Sequence, residues 1–427
     1  MAAEPTVVFF PEGAYGPTNN CVGIGQVLQA RGVRVVFIIE ESFAGTLEAR
    51  GFEERLMRLG PPPEVEEAPG QFWKDFIAAT SPEFRKPTIE QLETFIAPTM
   101  GALADGARYV EDRLCEIIDE LQPDIVVEDN VCAFPALPAR AKRWARIVSC
   151  NPAEILDPAV PPVFSGYAAG DRSGWDEFWA AYDQHLGPLW AGFDEFCRER
   201  GAPELAPRSF IHDSPDLNLY LYPAEADYAR ERPLGPTWHR IDTCVREEHG
   251  EAELPDDIRH GDGSLIYLSL GSLGSADVGL MQRLCDALAD TPHRYIVSKG
   301  PQEAEITLRD RQWGAEYLPQ PILMPLCDLV ITHGGNNTTT ECFHHGLPMI
   351  TLPLFWDQYD NAQRVQELGF GRRLATYDWE PADLTSAIDS VLGNTNIQHR
   401  MQQISARVKA DPGRVRAADL IERVAGA

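Results

Sequence analysis

Apolar and polar positions along the 427-residue chain alternate between short apolar runs and longer amphipathic segments. Residues 7–10 are an apolar run that breaks into Pro11-Glu12-Gly13-Ala14-Tyr15-Gly16-Pro17. An amphipathic stretch follows to Arg31-Gly32, and residues 33–39 are apolar again, which predicts a strand, a loop at its carboxyl end, a helix and a second strand. The Pro- and Glu-rich residues 51–68 read as a surface loop and residues 88–121 as a helix broken near Pro98. Strands are expected at 125–127, 147–149 and 217–222, the last closing a first sheet. Residues 234–263 are rich in Gly, Pro and charge, as a linker is. Beyond it the alternation resumes, with strands at 265–270, 295–298, 329–332 and 349–354 and helices at 280–289, 381–392, 397–409 and 415–424. Strand-helix alternation in both halves predicts an α/β class with two parallel-sheet domains. The boundaries are an N-terminal domain at 1–240, a linker at 241–263, a C-terminal domain at 264–410 and a final helix at 411–427.

Composition narrows the function classes. With 44% hydrophobic and 24% charged residues the chain is an ordinary globular one, and its formal charge of −28 repels nucleic acid and anionic membranes. No apolar run approaches membrane-spanning length and the first residues lack a basic and apolar leader pattern, so a cytoplasmic protein, monomer or homodimer, is expected. The nine cysteines form no C-x-x-C pair and no Cys/His cluster, which points to reduced thiols and no metal centre.

The chemistry is densest at residues 329–362. An apolar run to Thr332 breaks at Gly334-Gly335 into helical spacing through Glu341 and Phe343, a strand, tight turn and helix start. A helix N-terminus presents free N–H groups and the positive end of its dipole, and glycines let a phosphate approach the backbone, so this turn suits a diphosphate. Asp357-Gln358 falls just past the strand expected at 349–354, where parallel sheets bind ligands.

His333, Gly335, Asn337, Thr338, Glu341, Gly346, Pro348, Asp357, Gln358, Asn361 and Ala362 fall in one register. That register resembles the donor-binding signature of the family-one glycosyltransferases, H-x-G-x-N-[ST]-x-x-E, then G-x-P, then D-Q-x-x-N-A. The resemblance implies the twin-Rossmann architecture called GT-B, with the last helix crossing back to the first domain. It also implies transfer of a hexose such as glucose from UDP, without a cofactor or metal. By the same resemblance Ser272, His333, Gly334, Gly335, Asn337 and Thr338 would hold the diphosphate. Tyr317, Gln320 and Glu341 would hold the nucleoside, and Asp357 and Gln358 the sugar.

One departure from the family pattern stands out. The family's loop after the first strand reads G-H-x-N-P, and its His removes the acceptor's proton; counting from Gly16 to Gly32 places Pro17 there. Proline has no titratable group and no N–H. Asp129 matches the Asp that supports the family's His. Three accounts stay open: Asp129 or Glu12 acts as base, the acceptor is acidic enough to need none, or the chain binds a sugar nucleotide without transferring it. His212, His344 and His345 are further titratable candidates, and an epimerase is an enzymatic alternative on the same fold. For a hydrophobic, phenolic acceptor the candidate wall residues are Trp73, Phe76, Phe134, Trp175 and Trp179, although an aromatic stripe at helical spacing is as readily core.

Overall fold

A computed structural model describes residues 5–61, 79–251 and 253–426. Among these described residues, thirteen strands in two wholly parallel sheets make up the framework. The first sheet has the order β3-β2-β1-β4-β5-β6-β7. Its strands are β1 (Thr6–Pro11), β2 (Arg34–Glu40), β3 (Glu53–Met57), β4 (Ile125–Asp129), β5 (Trp144–Val148), β6 (Leu217–Tyr220) and β7 (Trp238–Arg240). The second has the order β10-β9-β8-β11-β12-β13. It is built from β8 (Leu265–Ser269), β9 (Arg294–Ser298), β10 (Gln312–Ala315), β11 (Leu329–Thr332), β12 (Met349–Thr351) and β13 (Gly371–Arg373).

The central strands are apolar on both faces because helices cover both. Val7, Val8 and Phe9 of β1 and Leu329, Val330 and Ile331 of β11 are all 0% exposed. In each sheet the chain winds outward in one direction, returns to the middle and winds outward in the other. The resulting switch points, β1 beside β4 and β8 beside β11, are where such sheets open a crevice beyond their carboxyl ends. Glu12 directly follows β1, and His333 directly follows β11. Strand order alone therefore places these residues at the two crevices.

Several elements differ from the sequence reading. Residues 51–68 are not wholly loop, since β3 pairs with β2 there. As an edge strand it is covered on one side only, and its sequence EERLM carries no apolar run to find. Strand β6 does not close the first sheet, because Trp238–Arg240 adds β7 beyond it. Between the strand and helix expected at 265–270 and 280–289, residues 271–274 form a short helix of their own. The helix expected over 88–121 carries a π-helical turn at Leu92–Ile96, in which the Ala97 N–H reaches the Leu92 carbonyl. Pro98 lacks an N–H and cannot close a regular bond at the next position, which explains the widened turn. Thr99 Oγ1 takes the Phe95 carbonyl at 2.7 Å, and Phe95 itself is turned toward the crevice.

The last helix, Gly413–Ala425, packs beneath the first sheet. Ala417, Ala418 and Ile421 are fully buried against the apolar face that includes Val7, Phe9 and Leu219. Its entry is tight: a Cβ on Gly413 would fall on the Ile241 carbonyl and lie 2.5 Å from the Thr243 carbonyl. Gly413→Ala should therefore lower folding stability by about 1–3 kcal/mol in denaturant unfolding. By contrast, a Cβ on helical Gly101 meets nothing within 4 Å, so Gly101→Ala should raise stability by about 0.5–1 kcal/mol.

Candidate active site

Between the two sheets lies a cavity of about 840 Å³ whose walls come from both domains. On the first domain's side it is lined by Glu12 to Pro17, at the end of β1 and the start of helix Tyr15–Ala30. Facing these across the cavity are His333, Gly335, Asn336, Asn337 and Thr338, at the start of helix Asn336–His345. A Cβ on Gly16 would sit 3.8 Å from the Asn337 Cβ, so the two helix N-termini converge on one region. An anion there meets two positive dipole ends, each worth about 0.3–1 kcal/mol, and hydrogen bonds to charge worth about 1.5–3 kcal/mol apiece. The hydrogen-bond donors outweigh the dipoles.

His333 is held edge-on between two glycines. A Cβ on Gly271 would approach the ring's Cε1 and Nε2 at 2.8 and 2.9 Å, and one on Gly335 would collide with Nε2. Burial pushes the His333 pKa down to about 4, against a hydrogen bond to the Ser269 backbone, so at neutral pH the ring is uncharged and has one N–H to give. Ser272 lines the same wall from the short helix Gly271–Gly274. Gly334 does not. Its N–H goes to Thr332 Oγ1 at 3.3 Å, and its φ of +84° turns it toward the Gln358 carbonyl, behind the wall.

Comparison with known proteins agrees with this geometry. A family model described as erythromycin biosynthesis protein CIII-like, C-terminal domain, matches residues 283–423. Oleandomycin glycosyltransferase of Streptomyces antibioticus is 24% identical over 97% of this chain and 90% of its own length. Zeaxanthin glucosyltransferase of Pantoea ananas is 25% identical over 96% of this chain and 94% of its own. The crystal structure of the glycotransferase of kitacinnamycin superposes with a TM-score of 0.70 at 19% identity, covering 99% of this chain and 100% of that one. The chain is thus similar over nearly its whole length to glycosyltransferases of natural-product type. Its fold is GT-B.

The remaining candidates divide by position. Tyr317, 52% exposed, lines the cavity and lies 5.9 Å from Tyr15 of the other domain, centroid to centroid. Gln320 donates to Thr338 Oγ1 at 3.2 Å and to Glu341, so the candidate nucleoside groups are bound to one another. Asp357 lines the cavity, but one of its oxygens already accepts the Asn151 N–H at 2.8 Å and Asn361 Nδ2 at 3.4 Å. Gln358 is not part of the wall. Its carbonyl oxygen accepts the Leu354 and Phe355 N–H groups and fixes the loop before its helix.

At the acceptor end, Asp129 is 2% exposed behind the wall, with Ser149 Oγ donating to Oδ1 at 2.6 Å; burial pushes its carboxyl well up, so it is no free base. Glu12 is on the wall, and burial and the neighbouring Glu154 charge push its pKa up to about 7. Trp73 and Phe76 lie outside the described residues. Phe134 packs edge-on against Phe10 at 4.7 Å in the core, and Trp175 is 5% exposed. Trp179 lines a separate groove with Trp190 under Arg208. None of these three reaches the cavity. His212, on the Pro203 carbonyl at 2.8 Å, and the pair His344 and His345 also lie away from it.

The apolar wall is instead Phe95, Ala102, Leu103, Val131, Phe355 and Trp356. These escaped the sequence reading because they come from distant segments. The aromatic pair directly before Asp357-Gln358 was the one available signal. Trp356 has a φ of +57°, a conformation that costs a bulky residue about 1–3 kcal/mol and holds its ring against Phe164 at 4.6 Å.

Gly335→Ala should drive the His333 ring from its slot and weaken nucleoside diphosphate binding by about 10- to 100-fold, one charged hydrogen bond's worth. Titration calorimetry with UDP and TDP reads the loss, and circular dichroism should show the fold unchanged.

Proposed function

We propose that the chain transfers a hexose, glucose by the family resemblance, from a nucleoside diphosphate to a hydroxyl of a hydrophobic, phenolic small molecule, with inversion at the anomeric carbon and Glu12 as the general base. The observation that carries this reading is the placement of Glu12: a carboxyl group on the cavity wall at the end of β1, facing the His333 and Asn337 side, with its pKa near 7.

As the bond from the anomeric carbon to the diphosphate breaks, negative charge collects on the leaving group and positive character on the sugar ring. The helix N-terminus at Asn336, the His333 ring and the Ser272 hydroxyl line the side of the cavity where the leaving charge would grow. Glu12 lies across the cavity from them, so an acceptor oxygen beside it attacks from the face opposite the diphosphate. The configuration therefore inverts. Glu12 takes the proton of that hydroxyl as the new bond forms. A base with a pKa near 7 is largely ionised just above neutrality and remains strong enough to help, and such catalysis is worth about 10²- to 10⁴-fold. Phenols, with a pKa of about 10, need that help less than aliphatic alcohols do. The aromatic wall of Phe95, Phe355 and Trp356 favours the same class.

Incubation with UDP-glucose and TDP-glucose and a panel of phenols should give glycosylated product by mass spectrometry. No product and no nucleotide release with any hexose donor would sink the proposal; donor binding without either would make the chain a sugar-nucleotide-binding protein. Because the base works ionised, kcat/KM should rise with pH through about 7 and then level. Glu12→Gln should abolish that limb and lower the rate on an aliphatic alcohol by about 10²- to 10⁴-fold. Asp129→Asn should leave the limb in place.

A further inference from the structure

Three hollows follow one another from the acceptor end of the large cavity to the surface. The cavity ends at Val131 and Trp356, and both residues also line a neck of about 30 Å³. The neck in turn shares Leu156, Tyr182 and Arg208 with an outer groove of about 700 Å³, the one that holds Trp179 and Trp190. A neck of that volume has room for about two waters, so it is one chain wide.

The polar side chains of the neck are already bonded. Glu154 binds Arg146, and the Tyr182 hydroxyl donates to the Arg208 carbonyl at 3.0 Å. Arg208 Nε donates to Asp183 at 2.7 Å, and Ser209 Oγ donates to the Ile211 carbonyl at 2.8 Å. What remains is the apolar surface of Met100, Val163, Phe164 and Phe210. A hydrocarbon chain fits such a passage, whereas an ion lacks free partners there and a ring system is too wide.

The groove beyond is of the same kind. Trp179, Asp183, Gly187 and Trp190 recur on one face of helix Trp175–Glu199, a span of about 16 Å at the α-helical rise. Trp190 Nε1 donates to the Ala206 and Ser209 carbonyls at 3.1 and 2.9 Å, and Asp157 accepts the Ala159, Glu231 and Arg232 N–H groups. The groove therefore offers apolar surface too, including Leu156 at 38% exposed. The neck is also where the backbone is least relaxed. Among the described residues six besides glycine have a positive φ, and three of them, Phe164 at +71°, Arg208 at +65° and Trp356 at +57°, line it. Such conformations cluster at ligand clamps and switches.

We propose that the acceptor is a phenol carrying a long unbranched hydrocarbon chain: its hydroxyl stays at Glu12, the chain passes the neck between Trp356 and Tyr182, and the chain's end lies in the groove of Trp179 and Trp190. The inference rests on the phenol-glycosylating reading above and adds the part of the acceptor remote from the reaction.

Equilibrium dialysis of the whole protein against 4-methylphenol, 4-butylphenol and 4-octylphenol, below the concentrations at which they aggregate, tests the path. Affinity should climb by about two- to fourfold for each methylene buried. The isomer 4-tert-octylphenol has the same carbons but a branch that the neck cannot pass, and should bind about tenfold more weakly than 4-octylphenol. Gly187→Leu fills the groove, since a Cβ there meets nothing within 4 Å. It should cut 4-octylphenol affinity by about tenfold and leave 4-methylphenol unchanged. Equal affinity for the two octyl isomers in wild-type protein, or undiminished 4-octylphenol affinity in folded Gly187→Leu, would overturn the inference. Glycosylation of 4-methylphenol beside either result would leave the enzyme reading standing, whereas no binding and no product with any phenol would remove both. The isomer comparison needs no variant, so it decides even where Gly187→Leu fails to fold.

Discussion

The seam of buried hydrogen bonds between the two domains is the constraint on which the cavity depends. Asn336 Nδ2 reaches across to the Ser149 and Leu221 carbonyls at 2.8 and 3.1 Å. Asp357 accepts the Asn151 N–H, while the Asn151 side chain donates to Asn361 at 2.8 Å. Asp360 accepts the Phe164 and Gly166 N–H groups at 2.7 and 2.8 Å, and Arg364 donates to the Ala226 and Asp227 carbonyls at 3.0 and 2.7 Å. These groups are buried, so leaving any one unpaired costs about 1–3 kcal/mol. The seam is therefore specific as well as adhesive: it fixes the spacing between the end of β1, with Glu12, and the start of helix Asn336–His345. Asp357 and Asn361 belong to the stretch that reads as a sugar-binding motif. In this protein the same side chains also clasp the other domain, so a sugar on Asp357 would meet a residue already involved in closure.

A second constraint is the surplus of carboxylates behind the wall. Glu128, Asp129 and Glu154 share one buried cation, Arg146, which binds Glu154 and reaches Asp213 at 2.8 Å, and Glu12 on the wall feels the Glu154 charge. One guanidinium cannot offset so many negative charges. Protons do so instead, with Glu128 pushed up to about 8 and Glu12 to about 7. The group on the wall thus inherits a pKa suited to proton abstraction from the charge balance of the core beneath it. The groups of such a cluster titrate together.

What was legible in the sequence follows from how locally each feature is encoded. The strand, turn and helix around His333 lie within a dozen positions, and glycines are needed at 271 and 335 because a side chain there would strike the His333 ring. Strands buried on both faces announced themselves as apolar runs. Edge strands β3 and β13 did not, since EERLM and GRR are partly solvated and carry charge. The acceptor wall was illegible for another reason: Phe95, Leu103, Val131 and Trp356 meet only through the fold. Trp175 and Trp179 have the spacing of a helix face, and spacing cannot say whether that face meets a ligand or the core. Arg246 was hidden in a segment read as mere linker. Its guanidinium joins Glu248 of the same segment to Glu341 of the second domain.

Pro17 takes on a different meaning in this setting. It occupies the first turn of helix Tyr15–Ala30, where its missing N–H costs no helical hydrogen bond, so the backbone tolerates it without distortion. A base at Glu12 in place of one in that turn would exchange an imidazole for a carboxylate, and the two differ in charge before and after proton transfer. An imidazole base starts neutral and ends as a cation, beside a sugar ring that is itself becoming cationic. A carboxylate starts as an anion and ends neutral, so it attracts the developing positive charge at the moment of attack. That attraction stabilises the dissociating donor as well as activating the acceptor. A carboxylate acting as base in this place would help both halves of the reaction, so a proline at position 17 does not by itself exclude transfer.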